Sequence, residues 1–131
     1  MFFYGDSNSR MFYDRVKSKM QCQETVFAGN AKRKQDRKMC TNKTHNTTIL
    51  FVSHTSPYHI GEADFVSTSL LYSPQQLFGS VPSEGHYIIT FSHYLHLTSH
   101  HISVYQRYLR AMRDEIIKLL KRNPHVLILF R

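Results

Sequence analysis

Ser7 stands in the stretch Gly5-Asp6-Ser7-Asn8-Ser9-Arg10, straight after the apolar run Met1-Phe2-Phe3-Tyr4. A serine placed where a strand gives way to a helix can act as a nucleophile. Its hydroxyl then needs a base to take the proton and donors to hold the oxyanion that follows. The turn itself offers donors, because the first amides of a helix have no partner within it and the dipole there favours negative charge. Gly5 permits tight backbone geometry, and Asp6 can brace the turn by accepting from nearby amides. The same residues also suit a plainer job, since Asp6 or Ser7 is a good N-cap for a helix starting at residue 8. Histidines that could serve as the base are His54, His59 and His93.

The elements that must position these groups follow from hydrophobic patterning. Met1–Tyr4 reads as a short buried strand. Residues 8–20 suit a helix, with Met11, Phe12, Val16 and Met20 on or near one face. Residues 21–47 are polar and basic with no sustained period. Ile49-Leu50-Phe51-Val52 is a continuous apolar run, as expected of a strand covered on both faces. Residues 54–61 read as a loop and 65–71 as a helix that Pro74 breaks or restarts. Residues 86–91 give a third strand. The clearest helix is 99–122, with Tyr105, Tyr108, Met112, Ile116 and Leu119 in an apolar stripe. Arg110, Asp114 and Lys118 on it are spaced for i,i+4 ion pairs. Asn123-Pro124 ends that helix, and residues 126–130 form a fourth strand.

Near-continuous apolar strands alternating with helices predict an α/β fold, a three-layer sandwich around a mainly parallel sheet with right-handed crossovers. In such sheets ligands bind at the carboxyl ends of the strands, where the strand order reverses. Gly5–Ser7, His54 and His93–His96 all follow strand ends. The order therefore gathers a serine and several histidines on one rim.

With 131 residues, 41% of them hydrophobic, the chain fits a single domain over 1–131. It opens within one apparent strand and stops within another, so a partial domain of a longer protein is expected. No run reaches the ~20 apolar residues of a membrane span, and no signal-peptide pattern is present. Asn42-Lys43-Thr44 and Asn46-Thr47-Thr48 are N-glycosylation acceptors, and Cys22 and Cys40 are the only cysteines. Together these favour the secretory pathway lumen or the exterior, and whether the cysteines pair is left open.

The formal charge is +8, and residues 31–38 hold five of the seventeen basic residues. No aromatic residues interleave with that run, so a solvated loop is expected and nucleic acid is not. His93, His96, His100 and His101 cross from a strand to a helix start, which does not set their rings on one face. No metal or cofactor is expected.

Gly5-Asp6-Ser7-Asn8-Ser9-Arg10 resembles the G-D-S-x-x-R block of the SGNH (GDSL-like) hydrolases. More narrowly it is similar to their PC-esterase branch, which includes the neurexophilin and PC-esterase domain proteins and plant polysaccharide O-acetyltransferases. Residues 49–61, ILFVSHTSPYHIG, look like that group's second strand and His-x-x-Pro loop. Residues 85–97, GHYIITFSHYLHL, sit where the group has a strand, a glycine-rich turn and a histidine. The resemblance spans essentially the whole chain, with only the GDS block specific.

It implies an SGNH/flavodoxin-like sandwich, incomplete at the C-terminus, and a serine acyl-esterase or O-acetyltransferase relative acting on acylated carbohydrate or another small ester. Ser7 would be the nucleophile and its amide an oxyanion donor. His96 would stand beside the oxyanion, and Arg10 would orient Asp6 or a substrate oxygen. Two departures count against activity. The glycine-rich turn reads Ser92-His93-Tyr94-Leu95, and the group's base-bearing Asp-x-x-His does not occur, since Asp36, Asp64 and Asp114 lack a histidine three residues on. Little turnover is expected from these residues alone, and a non-catalytic binding module of the same fold is the alternative.

Overall fold

Phe3 and Tyr4 are adjacent on one strand, so they project to opposite faces of the sheet, and both are buried. A sheet covered on two sides follows. The computed structural model describes residues 1–26, 37–54, 72–92 and 100–131. These contain β1 (Phe2–Gly5), α1 (Ser7–Met20), β2 (Gln23–Val26), β3 (Lys38–Asn42), β4 (Thr47–Ser53), α2 (Pro74–Ser80), β5 (Tyr87–Ser92), α3 (Ile102–Arg122) and β6 (Val126–Phe130). The strand order is β2-β3-β4-β1-β5-β6. β4, β1, β5 and β6 are parallel neighbours, and β2 and β3 extend one edge antiparallel. The fold is the expected α/β sandwich with a mostly parallel sheet.

Each face has its own core. On one, Phe3, Cys40, Ile49 and Phe51 pack with Tyr13 of α1, flanked by Phe12, Val16 and Met20. On the other, Tyr4, Val52, Ile89 and Phe91 meet Leu77 and Phe78 of α2 and Tyr108, Met112 and Leu119 of α3. Side chains of this size contribute about 1.5–3 kcal/mol each on full burial. Met11 and Leu120, at the margins of their stripes, are exposed.

The chain departs from the patterned reading in the 21–47 stretch, at the start of α3 and in the ion pairs along α3. The aperiodic stretch 21–47 contains the β2–β3 hairpin arm, and Cys22 is disulfide-bonded to Cys40 with a Cα–Cα distance of 5.6 Å. That bridge ties the end of α1 to β3. Of the expected loop 54–61 only His54 is described, and the expected helix 65–71 lies outside the described residues. Pro74 does restart a helix, as the first residue of α2, with Ser73 and Gln76 forming a reciprocal capping box. α3 begins at Ile102 rather than 99 because the His101 ring accepts from the Ser103 amide at 3.2 Å and caps it. On α3, Asp114 pairs with Arg113 at 2.8 Å, and Lys118 with Glu115 at 2.7 Å. These replace the expected i,i+4 partners.

Asn123 fixes the far end of α3. Its amide donates to the carbonyls of Pro82 and Gly85, both at 3.1 Å, and its oxygen accepts from the His125 amide at 2.9 Å. Arg122 donates to the carbonyls of Phe78 and Val81, so the end of α2 is held to α3.

Candidate active site

β1 lies between β4 and β5, and the chain visits β4 on one side before crossing to β5 on the other. This is the reversal at which parallel sheets open a crevice. The register pairs Gly5 with Ser53 of β4 and with Ser92 of β5, so the carboxyl ends of three strands are level. Gly5 has φ +146°, and a Cβ there would stand 2.0 Å from the Ser92 carbonyl oxygen and 2.6 Å from Ser9 Oγ. Only a residue without a side chain lets β1 and β5 stay paired at this point.

The turn that follows is locked from both sides. Asp6 is the N-cap of α1: its Oδ1 accepts from the Asn8 amide at 2.9 Å, and its carbonyl accepts from the Arg10 amide at 3.1 Å. Asp6 is 5% exposed, and its Oδ2 is buried with no hydrogen-bond partner. Ser9 is buried and donates from Oγ to the Tyr4 carbonyl at 3.0 Å. Asp6 therefore does the capping, and Ser7 is left exposed as the first residue of α1. At that position the Ser7 amide has no acceptor within the helix. A hydroxyl and a backbone donor thus share one exposed corner. Arg10, half-buried, stands one helical turn further on.

Of the candidate histidines, His54 directly follows β4, is buried, and bridges to Tyr72. Tyr72 closes this side of the rim. Its amide donates to the Ser53 carbonyl at 3.0 Å, its carbonyl accepts from the Tyr4 hydroxyl at 2.7 Å, and its own hydroxyl accepts from Arg37 at 2.6 Å. His59, His93 and His96 lie outside the described residues. Ser92, which immediately precedes His93, ends β5 beside Gly5. The sequence reading missed Ser9, Ser92 and Tyr72. Each acts through backbone contacts across the sheet or its turn, for which no local pattern exists.

Other features stand apart from this corner. An apolar cleft of about 280 Å³ opens between α1 and β5–β6, lined by Phe3, Phe12, Val16 and Leu129, and Ser7 does not line it. Arg37 and Lys38 of the basic run turn toward the protein, Arg37 onto the Tyr72 ring and Lys38 to within 3.8 Å of Asp14. Among the described residues no three His, Cys, Asp or Glu side chains are grouped to hold a metal, and no helix is long and apolar enough to cross a membrane.

The chain matches the family model described as the NXPE family member 4-like, C-terminal domain, over residues 1–131. No curated protein and no solved structure matches it. A glycine that only a bare backbone can occupy, a capped turn and an exposed serine on a parallel-sheet crest thus lie within a domain that the family model covers from end to end. The chain belongs to the NXPE family, as its C-terminal domain, within the SGNH/PC-esterase-like group.

Proposed function

We propose that this domain performs acyl transfer on O-acylated carbohydrate, as a serine acyl-esterase or O-acetyltransferase of SGNH type. The observation that carries the reading is the exposed Ser7 at the first position of α1, its capping duty taken by Asp6. Ser7 Oγ attacks the acyl carbon and gives its proton to a base. The oxyanion that forms faces the Ser7 amide and His96, while Gly5 and Asp6 hold the turn in shape and Arg10 steadies a substrate oxygen. Collapse breaks the bond from the acyl carbon to the sugar oxygen, which takes up the proton. Water or a second hydroxyl then releases the acyl group from Ser7.

The chain has no Asp-x-x-His, so the base is the weak point and turnover by these residues is slow. An activated ester avoids the need to protonate the leaving group. Exposure of the folded chain to p-nitrophenyl acetate is expected to leave an acetyl group on Ser7, detected by peptide mass spectrometry, and none in Ser7→Ala at the neighbouring positions. Absence of acetyl from Ser7 contradicts the reading. The reading carries with it a lumenal or extracellular setting, supported by the Cys22–Cys40 disulfide.

A further inference from the structure

Two glycosylation acceptors lie four residues apart, at Asn42 and Asn46, and the fold treats them differently. Asn42 is the last residue of β3 and is half-buried. Its Nδ2 donates to the carbonyl of Met20 at 2.6 Å, and its Oδ1 accepts from the His45 amide at 2.9 Å. Met20 is the last residue of α1, beyond which Gln21 turns left-handed with φ +48°. Asn42 therefore satisfies a carbonyl that the end of a helix leaves without an intrahelical donor. The Cys22–Cys40 bridge, two residues from each of these groups, presses the same strand against the same helix end.

Asn46 has none of these ties. It closes the turn between β3 and β4, its side chain is exposed, and only its backbone amide is engaged, donating to Lys43 O at 3.3 Å. Its φ of +45° is one that asparagine tolerates better than other side-chain-bearing residues. Its acceptor partner, Thr48, is also an exposed residue, with its hydroxyl 3.3 Å from that of Thr41 at the strand surface. Asn46 sits at the amino end of β4, whereas Ser7 follows the carboxyl end of β1. Seven residues of strand separate these poles, about 20 Å at the usual rise.

We infer that Asn46 is the N-glycan site of this domain and that Asn42 is a structural amide that stays unmodified. In the transfer, Asn46 Nδ2 forms a bond to C1 of an oligosaccharide carried on a lipid pyrophosphate. The bond from C1 to the phosphate oxygen breaks, the lipid pyrophosphate departs, and one amide proton is lost. The same reaction at Asn42 leaves a single N–H and puts a pyranose ring against the end of α1. At Asn46 the ring points to water, on the side of the sheet away from the reaction corner. This inference does not depend on Ser7 being a nucleophile.

The test is secretion of the whole chain from a eukaryotic cell behind an added signal peptide, followed by enzymatic glycan removal and peptide mapping. One glycan at Asn46 is expected, with the mobility shift lost in Asn46→Gln and kept in Asn42→Gln. Thr48→Ala removes the acceptor hydroxyl while keeping Asn46, and is expected to lose the shift as well. A glycan on Asn42 of the secreted protein, or secreted protein bearing no glycan, overturns the assignment.

Discussion

The carbonyl oxygen of Ser92 lies 2.0 Å from the point where a Cβ on Gly5 would be built. The contact is between backbone of β5 and backbone of β1, so no side-chain rotation relieves it. Gly5→Ala must part the two strands or shift the turn that carries Asp6 and Ser7. A loss of about 2–4 kcal/mol is expected, the range of substitutions that force strain into a packed site. Urea denaturation reads this directly, and an unchanged midpoint contradicts the role given to Gly5.

Asn123 tests whether the far end of α3 is held by side-chain hydrogen bonds rather than by apolar packing. It is fully buried with its side-chain donor and acceptor groups engaged. Asn123→Leu keeps the volume roughly constant while leaving the Pro82 and Gly85 carbonyls and the His125 amide without their partner. Unsatisfied buried groups cost about 1–3 kcal/mol each, less where water reaches them. A total near 3 kcal/mol is therefore expected in thermal or urea unfolding. A neutral result shows that water replaces all three contacts.

Tyr13 carries a pH signature. Its phenol is buried between Phe3 and Phe51 and has no hydrogen-bond partner at Oη. Burial holds its pKa well above 10, and the nearby carboxylates of Glu24 and Asp14 push it the same way. A raised folded-state pKa means that the phenol's contribution to stability is intact below pH 10 and is lost as the pH rises beyond it. Tyr13→Phe removes that loss. At neutral pH the variant is expected to match or exceed wild type by up to about 1 kcal/mol, since an unpaired buried hydroxyl disappears. Above pH 10 the gap widens in favour of Phe, and parallel stability curves contradict the account.

Much of this was legible in the sequence because parallel strands buried on both faces must be apolar throughout. The runs at 49–52 and 126–130 could hardly be anything else, and β4 and β6 stand there. The hairpin arm was not legible for the opposite reason. Gln23-Glu24-Thr25-Val26 lies at the sheet edge, and Glu24 there pairs with Lys17, so nothing obliged it to look like a strand. What holds it is a disulfide and a ladder, both long-range facts. α2 had a readable signal in Ser73-Pro74-Gln75-Gln76, a capping box with proline at the first helical position. At the candidate site the Gly-Asp-Ser turn announced itself, whereas Ser9, Ser92 and Tyr72 became visible only once β1 lay between its two neighbours.

The most direct measurement is fluorophosphonate labelling of the folded chain, with the adduct located by peptide mass spectrometry. Replacing the exposed Ser7 by alanine is expected to change stability by less than about 0.5 kcal/mol, so any lost labelling reflects chemistry. The account predicts an adduct on Ser7, accelerated by added imidazole as a substitute base, and absent both from Ser7→Ala and from chain unfolded in urea. Labelling that spares Ser7 in the folded chain, or that proceeds equally well after unfolding, contradicts it.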